Sequence, residues 1–365
     1  MKRYLSLDIL RGLTVAFMIV VNNPGSWDCM YPILSHASWD GCTPCDLVFP
    51  FFLFCVGVSM VFAFAKYPGI TKEAVKKVFK RGVLLYLIGL AINAFPFYPT
   101  TLNPELTFWQ NWLDWAQHLR LMGVLPRIAL CYTVGSLLVL WLRTPKKLMI
   151  AVGILCALHI ALLLLFAGPE GAFTLEGNFA RRFDLAILGN NHIYHGYGLP
   201  FEPEGFLGTL TSTATVLLGY LIGSAVRQTT PLEASPKVFS LSAALLLGGL
   251  ILSLVVPVNK SLWSASYVFY TAGWASFVLA LLIYLVDVKG YEKPFLPFRA
   301  LGMNALALFV LSQLLFLIIW IYIPWDFTAI FGQTEFLSLC YALMCLTLHL
   351  TIAVVLYRKK IFIKL

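Results

Sequence analysis

The stretch DLVFPFFLFCVGVSMVFAFA, residues 46–65, decides the fold of this chain. After its first residue it contains no charged side chain, and its apolar residues continue without the alternation of a half-buried strand. An α-helix needs ~20 residues to cross the ~30 Å hydrocarbon core of a bilayer. The stretch therefore predicts a membrane-spanning helix that begins near Asp46.

Similar apolar runs occur along the whole sequence. Of its 365 residues, 60% are hydrophobic and 12% are charged, and the mean hydropathy is +0.83. This composition excludes a soluble globular domain. Continuous runs favour helices over barrel strands, because each segment must satisfy its own backbone hydrogen bonds in lipid. We predict an all-α, polytopic integral membrane helical bundle of about ten transmembrane helices, over residues 5–23, 46–65, 79–98, 120–142, 148–167, 205–226, 238–257, 262–286, 300–322 and 336–357.

The distribution of lysine and arginine predicts the side that each loop faces. With both termini in the cytoplasm, twenty of the 26 cationic residues lie at the cytoplasmic side, four lie in outer loops and two lie inside spans. This asymmetry is the positive-inside pattern. We expect one transmembrane domain, 1–365, with no cleaved signal peptide, because Asp8 and Arg11 interrupt the first apolar run. Its large outer loops are 24–45, 99–119 and 168–204.

The outer loops and helix ends are acidic, with twelve carboxylates against four cations, whereas the inner side has four carboxylates against twenty cations. A basic inner face attracts phosphates, but the positive-inside rule alone would produce it. The outer acidity is more informative, because it attracts a ligand that carries an ammonium group.

Asp8, Arg11 and Arg127 are charged residues within predicted spans. Asp8 and Arg11 are spaced i,i+3 on one helix face, so they either form a structural ion pair or leave Arg11 to contact an anionic ligand from the cytosol. Arg127 follows Pro126, which frees a backbone carbonyl, and it raises the same two alternatives.

Histidines and cysteines supply further candidates. His36 lies in the polar, turn-rich segment HASWDG ahead of the second span, and it is either a satisfied loop residue or a catalytic residue. His192 and His195 lack further ligands at zinc spacing, so no metal is expected. Cys42 and Cys45 form an outer Cys-x-x-Cys, a pattern typical of thiol–disulfide oxidoreductases, but the other cysteines are scattered and offer no second dithiol.

The sequence resembles the heparan-α-glucosaminide N-acetyltransferase family over nearly its whole length. The most specific similarities are RYLSLDILRG and HASWDG within residues 3–54, and EPEGFLGTLTS at 202–212. Further matching stretches, in chain order, are GVLPRIALCY (123–132), LGNNHIYHGYG (188–198), SLWSASYVFY (261–270), VDVKG (286–290) and LGMNALALFV (301–310).

The resemblance implies an acyltransferase that moves an acetyl group from cytosolic acetyl-CoA to the amino group of a glucosamine or terminal glucosaminide on the outer side. Its bacterial members are similar to glucosamine-acetylating inner-membrane proteins, which would place the catalytic loop in the periplasm. The large luminal domain of the lysosomal form has no counterpart here, so polymeric heparan need not be the acceptor. We expect acetyl-CoA, an amino sugar and the bilayer as partners, without nucleic acid, and a homodimer is compatible with the sequence.

The family's catalytic histidine corresponds to His36, and its asparagine at the outer end of the first span corresponds to Asn22. Asp40 replaces a usual asparagine, the loop between Asn22 and His36 is slightly longer, and neither Cys42 nor Cys45 is a family feature.

Chemistry suggests a role for each predicted site residue. An imidazole can act as general base near neutral pH or as a transient acetyl carrier, which are the two roles open to His36. Asp46 or Asp40 would orient its ring, and Asn22 would stabilise the oxyanion. We further predict acceptor contacts from Trp39, Glu204 and His192, and acetyl-CoA contacts from Arg11, Arg127 and Asn304.

Two other functional classes of membrane protein are also consistent with the sequence. A secondary transporter of a small sugar or anion would also use charged residues inside its spans. A membrane thiol–disulfide oxidoreductase using Cys42 and Cys45 is the weaker alternative.

Overall fold

The computed structural model describes residues 4–100, 102–323 and 327–363, and within these ranges it contains helices and loops but no β-strand. The α-helices are α1 (Leu5–Asn22), α2 (Val48–Ala63), α3 (Lys72–Ala94), α4 (Phe108–Gln117), α5 (Val124–Leu142), α6 (Pro145–Leu165), α7 (Phe179–Leu188), α8 (Phe206–Arg227), α9 (Pro231–Ser253), α10 (Ala265–Leu282), α11 (Leu296–Met303), α12 (Ala305–Tyr322), α13 (Phe327–Phe331) and α14 (Glu335–Arg358).

Eight helices of the described part are long and apolar enough to cross a bilayer: α1, α2 with the turn before it, α5, α6, α8, α9, α10 with its continuation to Val288, and α14. A ninth span results if α11 and α12, which are bent by 76° at Asn304, are taken together. The predicted polytopic helical bundle is confirmed, with eight or nine apolar helices instead of ten. The difference is α3, expected at 79–98, which begins at Lys72 and carries six charged residues in its first ten.

Close backbone contacts hold the central helices together. A methyl group added at Gly57 of α2 or Gly219 of α8 would overlap a carbonyl of the facing helix, and the same holds for Gly12 of α1 and Gly302 of α11. In lipid, helices associate through such small-residue contacts, because no hydrophobic driving force brings them together. These glycines therefore fix the inner layer of the bundle.

The periphery consists of α6, α9 and α14, whose outward faces are apolar and exposed, as at Leu165, Leu254 and Met344. An apolar belt of this extent is unsuited to water but is solvated by lipid tails. The protein is therefore an integral membrane protein.

Loop contacts define the two ends of the bundle. At the first, Tyr4 Oη donates to the Thr229 carbonyl at 2.8 Å and the Leu5 amide donates to Asp287 at 2.9 Å. We call this the Tyr4 end. The opposite end, the His36 end, carries the predicted outer segments 24–45, 99–119 and 168–204, of which the last two include α4 and α7.

Candidate active site

His36 lies between two short 3₁₀ turns, Pro32–Leu34 and Pro44–Leu47, that connect α1 to α2. Asp46 organises the segment. Its Oδ2 accepts hydrogen bonds from the amides of Ala37 and Thr43 at 3.1 and 3.0 Å and from the Thr43 hydroxyl at 3.1 Å, and its Oδ1 lies 2.7 Å from His36 Nδ1. One carboxylate thus caps the turn and orients the imidazole.

This contact defines which nitrogen of His36 can act as a base. A carboxylate only accepts hydrogen bonds, so Nδ1 carries the hydrogen that it donates to Asp46. In the neutral ring, the lone pair is then on Nε2. Asp46 has 1% of its side chain exposed, whereas His36 has 47% exposed, so the carboxylate is shielded while the ring is open to a ligand. The arrangement has the base–orienter geometry of acyl-transfer sites.

Lys260, in the loop between α9 and α10, completes the cluster. Its Nζ lies 3.0 Å from His36 Nδ1, 3.1 Å from His36 Nε2 and 3.5 Å from Asp46 Oδ1. The ammonium therefore lies against the imidazole, about equally far from its two nitrogens. Three charged or titratable groups from two separate loops meet at this point.

The loop that carries Lys260 is fixed against the His36 segment. The Asn259 amide group donates to the Trp39 carbonyl at 3.0 Å and to Asp40 Oδ1 at 3.1 Å, and the Gly41 amide donates to the Val258 carbonyl at 2.7 Å. Below them, Tyr267 Oη of α10 donates to the Asp46 carbonyl at 2.5 Å. These bonds join the segments 36–46 and 258–267 into one unit.

Cys45 and Cys42 adjoin this unit as free thiols. Cys45 Sγ lies 3.1 Å from His36 Nδ1 and 3.7 Å from Nε2. Burial, with a smaller contribution from the charge of Asp46, raises the pKa of the Cys42 thiol to about 12. Thiol exchange requires a thiolate, so this environment disfavours Cys42 as an attacking group.

An aromatic wall stands beside the cluster. Trp39 meets Tyr197 and Phe201 edge to face, with ring centroids 6.0 and 5.4 Å apart, and Tyr194 packs on Tyr197. The Trp39 indole donates to the Phe173 carbonyl at 2.7 Å, which fixes its orientation. Rigid aromatic faces of this kind suit stacking against a sugar ring.

Two glutamates from the EPEG stretch bind one arginine at the same end. Arg120 is bidentate to Glu202 and lies 2.7 Å from Glu204. Burial opposes ionisation of Glu204, but the charges of Arg120, Arg127 and Lys260 outweigh it and lower the pKa of this carboxyl below its usual value. Glu204 therefore adds negative charge near Lys260.

Arg127 lies deeper, fully buried, with its guanidinium 5.1 Å from the Trp263 ring and 3.0 Å from the Gly205 carbonyl. Asp184 of α7 caps α8 by accepting from the Phe206 amide at 2.8 Å. Burial raises the pKa of Asp184 to about 7.

A cavity of about 430 Å³ lies in the other half of the bundle. Its walls come from α1, α2, α3, α5, the α11–α12 bend and the segment after α14. Arg11 and Arg81 give it positive charge, and Phe52, Leu85 and Leu306 give it apolar walls. Such a volume is within the ~300–1,000 Å³ range of small-molecule sites.

Arg11 and Arg81 differ in how they are held. Arg11 donates to Ser59 Oγ at 2.7 Å and to the Gly302 carbonyl at 3.2 Å, and its predicted ion pair with Asp8 is present at 3.5 Å. Arg81 stacks on Tyr132, 5.0 Å from the ring centroid, and within the described ranges its buried Nε has no hydrogen-bond partner. A buried, unpaired donor of this kind is suited to a ligand oxygen.

Along α2, the cavity extends from Ala63 to Phe52, a length of about 16 Å at the helical rise. Asp46 lies six residues before Phe52, in the 3₁₀ turn that precedes α2, which is about 9 Å beyond the end of the cavity at helical rise. The cavity therefore points from the Tyr4 end towards His36 and stops short of it.

The predicted site residues fall into two groups. Asp46, Trp39 and Glu204 lie at or near His36, and Arg11 lines the cavity. The others take different positions. Asp40 contacts Asn259 and not His36, His192 lies 2.7 Å from the Leu119 carbonyl, and no hydrogen bond within the described ranges joins Asn22 to His36.

Two residues predicted to contact acetyl-CoA do not line the cavity. Arg127 lies at the His36 end on Trp263, where one guanidinium nitrogen donates to the Gly205 carbonyl, while its buried Nε and Nη1 have no hydrogen-bond partner within the described ranges. Asn304 is buried at the α11–α12 bend, where it donates to the Ile361 carbonyl and accepts from the Ile363 amide. Its amide holds the chain after α14, so neither residue is retained in the proposed acetyl-CoA site.

The sequence did not identify Lys260, Asn259 and Tyr267 at the His36 cluster. It also did not identify Ser59 and Arg81, which line the cavity. Lys260 had a usable signal, since it is one of four cations in an otherwise acidic set of outer loops and directly precedes SLWSASYVFY. Among the described residues, no group of three or more His, Cys, Asp or Glu side chains could hold a metal ion.

A membrane-embedded bundle with a carboxylate-oriented histidine at one end and a basic cavity leading towards it has the features of an acyltransferase. The chain belongs to the family described as heparan-alpha-glucosaminide N-acetyltransferase, catalytic, whose pattern matches residues 3–254. It is 28% identical to the human and 29% identical to the mouse heparan-alpha-glucosaminide N-acetyltransferase, in alignments that cover all of this chain. It spans about 60% of the length of these two relatives. Their names support an acyltransferase-like enzyme.

Proposed function

We propose that this protein is a transmembrane N-acetyltransferase that moves the acetyl group of acetyl-CoA to the amino group of a glucosamine or terminal glucosaminide. The observation that carries the proposal is the pairing of His36 and Asp46 at one end of the bundle, with a basic cavity directed towards them from the other half. Family membership supplies the reaction class.

The cavity fits the chemistry of acetyl-CoA. Arg11 and Arg81 would hold phosphate oxygens, and the unpaired Nε of Arg81 is a donor that such an oxygen would satisfy. Apolar walls further along α2 suit the pantetheine chain, which would extend the thioester over the remaining distance of about 9 Å towards Asp46. The nucleotide would then lie at the Tyr4 end of the cavity.

An acceptor that arrives as the ammonium first releases one proton to water, and direct transfer at His36 then needs a base for the attacking neutral amine. Nε2 of His36 accepts a proton from the amine while the amine nitrogen attacks the thioester carbonyl. The Nδ1 hydrogen bond to Asp46 stabilises the imidazolium that forms. The proton then passes to the departing CoA sulfur. A transient acetyl-histidine would use the same nitrogen as nucleophile.

The acceptor would reach His36 from the open side of the ring. Trp39 and Tyr197 offer faces for the sugar, and the acidic outer segments attract its ammonium form. The excess of lysine and arginine towards the Tyr4 end supports a cytoplasmic position for that end. We place the protein in a bacterial inner membrane, with His36 facing the periplasm.

A secondary transporter is the second candidate, because Asp8 and Arg11 line the cavity within the membrane region. The two functions differ in what crosses the bilayer. A transporter moves unmodified solute without acetyl-CoA, whereas the acetyltransferase moves only the acetyl group.

The test uses purified protein in proteoliposomes with radiolabelled acetyl-CoA and glucosamine. We expect N-acetylglucosamine from the wild type and a loss of ~10²–10⁴-fold or more in His36→Ala. His195→Ala is the matched control, since His195 lies at the same end and no hydrogen bond joins it to His36 within the described part of the chain. Uptake of unmodified glucosamine without acetyl-CoA, with no N-acetylglucosamine formed by the wild type, would overturn the proposal in favour of transport.

A further inference from the structure

The position of Lys260 is not explained by the pairing of His36 with Asp46. Its Nζ lies 3.1 Å from His36 Nε2, the nitrogen that the tautomer argument leaves as the base. Any group this close to Nε2 shares the space in which the amine and the thioester carbonyl must meet. A lysine at this place is therefore adjacent to the reacting atoms.

The charge of Lys260 is held in place from several sides. Asp46 Oδ1 lies 3.5 Å from Nζ, and the charge of Lys260 helps to lower the pKa of Glu204. Asn259, Gly41 and Val258 lock its loop to the His36 segment, and the Lys260 carbonyl accepts from the Trp263 amide at 3.0 Å. Only 21% of the side chain is exposed. A cation positioned before the substrate arrives is what electrostatic catalysis requires.

Acyl transfer from a thioester creates negative charge on one particular atom. When the amine nitrogen bonds to the carbonyl carbon, the π electron pair moves onto the carbonyl oxygen. Nε2 takes a proton from the nitrogen, the oxygen then re-forms its double bond, and the carbon–sulfur bond breaks. The proton on His36 neutralises the CoA thiolate, so the products are the amide and the free thiol, with His36 restored.

The oxyanion and the attacking nitrogen are bonded to the same carbon, so a donor beside Nε2 can reach the oxyanion. The ammonium of Lys260 has three hydrogens and no acceptor, which suits this role and not that of a base. A small displacement of Nζ away from the ring would leave the Nε2 lone pair open to the amine. Asn22, the oxyanion donor expected from the sequence, makes no contact with His36 among the described residues.

We propose that Lys260 is a catalytic residue, and that its ammonium donates a hydrogen bond to the thioester carbonyl oxygen as negative charge develops there. The proposal rests on the acetyltransferase function proposed above. Lys260 keeps its own protons throughout the reaction and is neither acetylated nor consumed.

The first measurement compares turnover in full-length variants. Lys260→Met removes the charge at similar length and is expected to lower kcat by ~10²–10³-fold, with the dissociation constant of acetyl-CoA unchanged because its cavity is distant. Lys260→Arg retains a cation and should recover part of the rate. Arg182→Met removes another cation from the His36 end, on the exposed face of α7, and serves as the matched control.

The decisive measurement replaces the carbonyl oxygen by sulfur. With the dithioester analogue of acetyl-CoA, the reacting atom is a much weaker hydrogen-bond acceptor, so the ratio of oxygen to sulfur rates reports a donor on that atom. We expect this ratio to fall at least about tenfold in Lys260→Met relative to the wild type, since loss of one oxyanion donor costs ~10²–10³-fold with the natural substrate. A merely structural role would lower both rates equally.

The outcomes separate the two proposals. An inactive wild type would overturn the acetyltransferase function and this inference with it. An active wild type with an unchanged oxygen-to-sulfur ratio in Lys260→Met would overturn the role of Lys260 alone. Stoichiometric acetylation of Lys260 by acetyl-CoA, detected by mass spectrometry, would also overturn it, because the nitrogen would then act as an acceptor and not as a donor cation.

Discussion

Replacing Asp46 by asparagine should inactivate His36 through its tautomer and not through its position. Three donors, the Ala37 amide, the Thr43 amide and the Thr43 hydroxyl, point at Asp46 Oδ2, and His36 Nδ1 points at Oδ1. An asparagine has only one acceptor oxygen. Its best fit places that oxygen towards the three donors and the NH₂ group towards His36.

In that orientation the asparagine would donate to Nδ1, and the ring hydrogen would move to Nε2. The nitrogen that must accept the amine proton would then have no lone pair. A wrong tautomer in a comparable acyl-transfer site costs ~10⁴-fold in kcat, and loss of general-base catalysis costs ~10²–10⁴-fold. We therefore expect Asp46→Asn to lower kcat by ~10²–10⁴-fold.

The assay is steady-state acetylation of glucosamine, with acetyl-CoA binding and melting temperature measured on the same samples. Binding should stay unchanged, because the cavity ends about 9 Å from Asp46 along α2. Asp40→Asn is the comparison, since its amide oxygen can still accept from Asn259 and Asp40 does not contact His36. A folded Asp46→Asn protein with wild-type kcat, or an equal loss in Asp40→Asn, would refute the tautomer argument.

Three further predictions concern the surroundings of the site. A Cys42→Ser/Cys45→Ser double variant should keep most of its turnover, because burial disfavours the Cys42 thiolate; loss of activity in a correctly folded sample would instead indicate a role for the thiols. Arg81→Gln should raise the KM for acetyl-CoA by ~10–100-fold through loss of a charge-assisted hydrogen bond. Lys66 is an exposed cation paired with Glu73, so Lys66→Gln should leave the KM unchanged. Equal KM values in the two variants would remove Arg81 from the acetyl-CoA site. The pKa of Asp184 is raised by burial to about 7 from 3.8, so the folded state retains a proton that the unfolded state loses between those values, and stability falls as pH rises from about 4 to 7. Asp184→Asn should flatten the dependence of melting temperature on pH between about 4 and 7. An unchanged slope would contradict the raised pKa of Asp184.

The membrane bundle could be predicted from the sequence, because hydropathy and the need to satisfy backbone hydrogen bonds leave few alternatives for runs such as 46–65. The exception, α3, has a charged first half that belongs to the same helix as its apolar second half. Composition predicts which residues of a helix are apolar, but it does not predict the residue at which the helix begins. For α3, the helix begins at Lys72, ahead of the apolar run.

The site was predictable only in part, and the reason is distance along the chain. His36 and Asp46 are ten residues apart, and Asp8 and Arg11 three, so local spacing and resemblance could connect them. Lys260 comes from a loop 224 residues after His36, and tertiary packing together with the Asn259 and Gly41 hydrogen bonds brings it there. Arg127 and Asn304 lie outside the cavity, and their sequence positions alone could not show this, because a buried polar residue needs a partner and the sequence does not say whether that partner is a ligand or a backbone carbonyl.

The central claim is that the acetyl group crosses the bilayer while neither substrate does. The direct measurement uses proteoliposomes of uniform orientation, with acetyl-CoA confined to the Tyr4 side and glucosamine confined to the His36 side. The account predicts N-acetylglucosamine on the His36 side only, at a rate that falls to background when the two substrates exchange sides. Equal turnover with both substrates confined to the His36 side would contradict it, because acetyl-CoA would then reach His36 without passing through the cavity.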